Sequence, residues 1–170
     1  MLFPLSFFVK KETKKLITQG QLCINSKLFV DVIINPMENK KKILIVDDAR
    51  GWVEYHLDAL TQIYGDKFVL ETANSARSGY AMIYNNLNPT YTLILSDLQM
   101  EMEFDPKHAG EWFIEQVKKM KEYSNTPIII VSAAYNIRSI AQKLGVNCLS
   151  KATAARDLTS YKLAVDQVLK

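Results

Sequence analysis

From Lys40 to the end of the 170-residue chain one rhythm repeats: a short apolar run, an amphipathic stretch, then another apolar run. The runs are Ile43-Leu44-Ile45-Val46, Phe68-Val69-Leu70, Tyr91 to Leu95, Ile128 to Val131, and a shorter one at Cys148-Leu149. Apolar runs with little alternation, rich in Ile and Val, fit strands covered on both faces, as a parallel sheet requires. The stretches between them carry helical stripes: Val53, Leu57, Leu60 and Tyr64; Ala76, Tyr80 and Ile83; Phe113, Val117 and Met120; Ile137, Ile140 and Leu144. Leu158, Tyr161, Val165 and Val168 predict a terminal helix of about 13 to 15 residues. Gly65-Asp66, Asn88-Pro89, Asn125 to Pro127 and Gly145 fall between each helix and the next strand. The pattern is (βα)5, for which right-handed crossovers favour a five-stranded parallel sheet with helices on both sides. Such a doubly wound sheet carries its site at the C-terminal ends of the strands, near the point where the strand order reverses.

Charge and cysteine usage narrow the function. The chain has 21 basic and 18 acidic residues, but residues 1–40 alone hold six Lys against three acids, so positions 41–170 are balanced. The main domain therefore lacks the basic footprint of a nucleic-acid partner. Cys23 and Cys148 are too few and too isolated for a disulfide framework or a zinc site, which points to a reducing cytoplasm. No apolar run approaches the roughly 18 to 20 residues that span a bilayer, so no membrane partner is expected. Residues 1–40 do not join the rhythm. They read either as a poorly ordered or weakly helical extension or as an upstream start-site artefact, with the natural product beginning at Met37. The opening apolar stretch has no preceding positive region or small-residue cleavage pattern, as a signal peptide would.

The chemistry lies at the strand ends. Asp47 and Asp48 follow the first run, Asp97 the third, Ser132 the fourth and Lys151 the fifth. Three carboxylates at one sheet edge repel one another by about 3 kcal/mol per pair at ~5 Å and an effective dielectric near 20. A cation must balance them. Hard oxygen ligands with few protein contacts suit Mg2+, which keeps waters and shares a substrate phosphate. Lys151 offers a point charge to a phosphoryl oxygen and Ser132 a hydroxyl donor. Carboxylate, metal, ammonium and hydroxyl around one point are the parts of phosphoryl transfer, with an aspartyl phosphate as the covalent product.

Over residues 41–170 the sequence resembles the response regulator receiver domain of two-component signal transduction. The carrying motifs are Ile43 to Asp48 (ILIVDD), Leu93 to Met100 (LILSDLQM), Pro127 to Ala133 (PIIIVSA) and Leu149 to Lys151 (LSK). The resemblance implies a flavodoxin-like sheet of strand order 2-1-3-4-5. It implies transfer of a phosphoryl group from a histidine kinase or histidine phosphotransfer protein onto Asp97, with Mg2+ held by Asp48 and Asp97 and by Asp47 partly through water. Ser132 and Lys151 would read the phosphoryl oxygens. A domain of this kind catalyses its own phosphorylation and dephosphorylation without being a classified enzyme. It signals by docking a downstream protein target, in the family through the fourth helix, fifth strand and fifth helix. Only 19 residues follow Lys151, so a DNA-binding output domain is not expected. Gln99 and Ala134 flank the expected path of attacking water.

Four departures from the family stand out. Ala152 replaces the proline that usually follows the lysine, and Cys148 stands where many members carry a switching Tyr or Phe. Tyr135 is a candidate substitute, and a solvent-facing or packing tyrosine is the simpler account. Glu101 replaces a proline four residues after Asp97. Gly110 arrives thirteen residues after it, rather than eight, which inserts an acidic loop, 101–109, containing Glu101, Glu103, Asp105 and His108. His56, on the first helix, reads as a surface or boundary residue. The competing function is a phosphorylation-independent protein-binding module with the receiver fold. A haloacid-dehalogenase-like phosphatase would need an acid where Ala49 stands. A nucleotide or flavin protein would need a glycine-rich phosphate loop, and none follows any strand.

Overall fold

A computed structural model describes residues 40–87, 90–100 and 109–169. The extension at 1–39, the candidate start at Met37 and the inserted segment 101–108 lie outside the described residues. From Lys40 onward the chain alternates strands and helices. The strands are β1 (Lys41–Val46), β2 (Phe68–Ala73), β3 (Tyr91–Ser96), β4 (Ile128–Ser132) and β5 (Asn147–Ser150). The helices are α1 (Arg50–Tyr64), α2 (Ala76–Asn85), α3 (Ala109–Lys119), α4 (Ile137–Leu144), α5 (Lys151–Arg156) and α6 (Leu158–Val168). The sheet is five-stranded and all-parallel in the order β2-β1-β3-β4-β5, as the rhythm and the resemblance implied.

Period-two alternation divides the strand residues between two cores. Leu44, Val46, Ile94, Ile128 and Ile130 pack with α2, α3 and α4 on one face. Their neighbours Ile43, Ile45, Leu93, Leu95, Ile129 and Val131 pack with α1, α5 and α6 on the other. Both faces are thus apolar, which is why the runs show no alternation in the sequence. The edge strands are the exceptions: no residue of β5 is fully buried, and β2 turns polar toward its end. β2 continues through Glu71 and Thr72, which are not buried, so its apolar signal stops at Leu70 while the ladder with β1 runs on to Val46↔Ala73.

The helix ends have local causes. Ser75 and Ser78 form a reciprocal capping box that starts α2. Gly65 and Gly145 end α1 and α4 at positive φ, where a side chain would be strained. The single terminal helix expected from the sequence is two: Asp157 adopts an extended conformation, and its side chain accepts from the Thr159 N–H at 2.9 Å, so a short α5 precedes an 11-residue α6.

His56 corrects a second expectation. It is buried rather than at the surface, with Nδ1 2.8 Å from the Tyr161 hydroxyl and the rings of Trp52, Tyr55 and Tyr161 around it. Burial, aided by the positive charge of Lys151 and opposed by Asp97, lowers its pKa from 6.5 to about 4. The unfolded chain therefore takes up a proton at a higher pH than the folded one. The stability that neutral His56 contributes is complete above pH 6.5 and is lost as pH falls toward 4. The expected loss is about 3 kcal/mol. Urea denaturation across this range should show a steeper decline for the parent than for His56→Gln, which keeps a hydrogen-bonding partner for Tyr161. Identical slopes would show that His56 is protonated in the folded state.

Candidate functional site

Strand register places the expected residues on one edge. Val46 is level with Ser96 and Ser132 with Ser150. The residue following each of Val46, Ser96 and Ser150 leaves the sheet at its C-terminal edge: Asp47, Asp97 and Lys151. This edge lies where the order reverses, with β1 leading to β2 on one side and β3 on the other. Backbone bonds extend the ladder past the strand ends. The Asp47 N–H donates to the Ala73 carbonyl at 3.1 Å and the Asp97 N–H to the Val46 carbonyl at 2.9 Å.

Asp47, Asp48 and Asp97 each bring a carboxylate oxygen within 4.8 Å of the others. Asp47 Oδ1 accepts from the Ala49 N–H at 2.9 Å, at the entrance to α1. Asp97 Oδ1 accepts from the Leu98 N–H at 2.6 Å and the Gln99 N–H at 3.3 Å. Lys151 begins α5, whose cap is the Ser150 hydroxyl. Its Nζ donates to Asp97 Oδ2 at 2.6 Å and lies 2.8 Å from Asp47 Oδ2. The approach to Asp47 is an ion pair without hydrogen-bond alignment, so Asp47 Oδ2 is a buried oxygen with no hydrogen bond. Burial raises the Asp47 pKa, and Lys151 and the Ala49 N–H oppose the rise. Lys151 itself is 6% exposed, so its charge acts at close range with little screening.

Ser132 is fully buried at the end of β4, where its hydroxyl accepts from the Ala134 N–H at 3.4 Å. Tyr135 is 98% exposed, in line with the simpler account of it. Cys148 is half-buried in β5. With Ala152 following it, Lys151 starts a helix and reaches Asp97.

Two further residues shape the site. The Gly110 N–H donates to the Leu98 carbonyl at 3.2 Å, and a Cβ on Gly110 would stand 2.2 Å from the Asp97 carbonyl oxygen. The displaced glycine thus makes a backbone-to-backbone approach beside Asp97. Trp52, which the sequence reading did not single out, lays its ring 5.0 Å from Lys151 Nζ. Its position in the first turn of α1, four residues after Asp48, was the available signal.

The donor set passes a test for a divalent cation. Three carboxylates and one ammonium leave two negative charges, the ligands are hard oxygens, and one buried carboxylate oxygen lacks a hydrogen bond. Among the described residues no helix is long and apolar enough to cross a membrane.

No family model matches the sequence, and no curated protein matches it. Solved structures do match. The chemotaxis response regulator CheY4 of Vibrio cholerae superposes with a TM-score of 0.62 at 20% identity, over 76% of this chain and 99% of that one. The phosphorylated cyanobacterial phytochrome response regulator RcpA gives 0.57 at 22% identity, over 74% and 89%. The Mn(2+)-bound form of response regulator Rcp1 gives 0.57 at 22%, over 73% and 88%. With an all-parallel sheet of order β2-β1-β3-β4-β5 and coverage of 88 to 99% of these proteins, the chain has the fold of the response regulator receiver domains.

Proposed function

We propose that the domain is a phosphoacceptor receiver that takes a phosphoryl group onto Asp97 and signals by docking a protein partner. The observation that carries this reading is the buried meeting of Lys151 Nζ with Asp97 Oδ2 and Asp47 Oδ2, at 2.6 and 2.8 Å, beside a third carboxylate. A domain with only a structural role has no physical reason to gather like charges in its interior, since each buried ion costs several kcal/mol of hydration. The fold shared with a phosphorylated and a Mn(2+)-bound response regulator supports the same reading.

In the proposed reaction a carboxylate oxygen of Asp97 attacks the phosphorus of a phosphohistidine on a histidine kinase or phosphotransfer protein. An O–P bond forms and the N–P bond breaks, with its electron pair returning to the imidazole. Asp47, Asp48 and Asp97 would hold Mg2+, which supplies charge neutralisation at the transferring oxygens. Lys151 and the Ser132 hydroxyl would read phosphoryl oxygens, and Gln99 and Ala134 would line the approach of hydrolytic water. Residues 41–170 would form the receiver unit, working in the cytoplasm.

The test is intact-protein mass after incubation with acetyl phosphate, with and without Mg2+. One added phosphoryl group that needs Mg2+ and disappears in Asp97→Ala is the expected result. Failure to gain that mass, together with failure to bind beryllofluoride in the presence of Mg2+, would favour the phosphorylation-independent binding module. The half-buried Cys148, standing where many receivers carry a switching aromatic, is the observation on that side.

A further inference from the structure

We infer that Trp52 is a positioning residue for Lys151: its indole ring seats the ammonium and keeps it at the acidic edge when the ion pairs to Asp47 and Asp97 are exchanged for a phosphoryl group. The inference rests on the phosphoacceptor reading.

Lysine carries its charge on a flexible four-carbon stem with large rotamer freedom. Lys151 Nζ meets Asp97 Oδ2 and Asp47 Oδ2, and it also lies 5.0 Å from the centre of the Trp52 ring, within the range of a cation–π contact. The contacts differ in what happens during the proposed reaction. The carboxylate oxygens are the atoms that a metal ion and the incoming phosphorus need, so Lys151 must release them. The indole face competes for neither. An ammonium held against it remains charged, and its N–H groups stay free to turn toward phosphoryl oxygens.

The ring is itself fixed. The Tyr55 ring packs against it in a T-shaped arrangement, with centroids 5.2 Å apart and planes at 71°, and the His56 ring centroid lies 6.0 Å away. Tyr55 in turn donates its hydroxyl to the Ala154 carbonyl, on the helix that Lys151 begins. Lys151 and its seat are therefore tied to one frame formed by α1 and α5. Trp52 is half-buried and also packs against the core of that face, so the test must separate seating from packing.

Phosphorylation of the full chain by acetyl phosphate, with Mg2+ affinity measured in parallel, should slow about three- to tenfold in Trp52→Leu. Trp52→Phe, which keeps an aromatic face, should stay close to the parent, and both variants should bind Mg2+ as the parent does. A parental rate in Trp52→Leu would overturn the inference. So would equal losses of rate and Mg2+ affinity in both variants, which is the signature of packing alone. Side-chain NMR of Lys151 reads the seat without any phosphorylation, and so separates its failure from that of the receiver reading. The ε-methylene protons should be shifted upfield by the ring and be inequivalent in the parent and in Trp52→Phe, and averaged in Trp52→Leu. A Lys151 signal at the position of a solvent-exposed lysine in the parent, or one equally immobile in Trp52→Leu, would also overturn it.

Discussion

Replacing Lys151 with methionine is expected to lower the stability of the metal-free protein by about 3 to 5 kcal/mol at neutral pH. Methionine keeps much of the apolar stem, so the loss reports on charge rather than on a cavity. The ammonium lies 2.6 Å from Asp97 Oδ2 and 2.8 Å from Asp47 Oδ2, and all three side chains are under one-tenth exposed. Without it two buried carboxylates face each other beside Asp48, and removal of one partner from a buried pair costs far more than the pair contributed. The direction of the Asp47 shift agrees, because Lys151 opposes the rise that burial causes. Two additions should recover part of the loss: saturating Mg2+, which restores positive charge, and mild acid, which protonates the carboxylates. Urea denaturation with and without Mg2+, at neutral and at mildly acidic pH, measures both. An unchanged midpoint in the metal-free variant would mean that the carboxylates are paired or hydrated by other means.

Gly110→Ala should be nearly as damaging for a different reason. The new Cβ would stand 2.2 Å from the Asp97 carbonyl oxygen and 2.5 Å from the Leu98 Cα, both backbone atoms that no rotamer change can move. Overpacking of this kind costs about 3 kcal/mol, and relief requires a shift of the backbone that carries Asp97. Mg2+ affinity should therefore fall along with the unfolding midpoint. Gly51→Ala is the matched control. It lies in α1 with nothing within 4 Å of the new methyl group, and alanine in a helix is favoured over glycine by about 0.5 to 1 kcal/mol. A thermal melt in which Gly110→Ala behaves like Gly51→Ala would contradict the close approach.

The sheet was legible because its strands are apolar on both faces, a pattern that survives without knowledge of neighbours. So was the acidic edge: Asp47, Asp97 and Lys151 each follow a strand directly, with Asp48 one residue further on, and parallel register brings strand ends together whatever the intervening lengths. Gly110 was legible as a displaced family position, but its purpose was not, since the contact with the Asp97 carbonyl spans a segment whose length gives no geometry. His56 was misread because its hydrogen-bonding partner, Tyr161, is 105 residues away. A lone polar residue on a helix looks like surface until its partner is known. Trp52 was hidden in the same way, because its contact with Lys151 joins distant parts of the chain. The division of the C-terminal helix at Asp157 depends on a cap whose side chain was one of many acids in the sequence.

The central claim, that Asp97 is the acceptor, is tested most directly by locating the phosphoryl group. An aspartyl phosphate is reduced by borohydride to homoserine, which marks the position permanently for peptide mass analysis. The protein phosphorylated by acetyl phosphate and Mg2+ and then reduced should carry homoserine at position 97, with Asp47 and Asp48 intact. Homoserine at 47 or 48, or a phosphorylated protein that yields none at 97, would contradict the account.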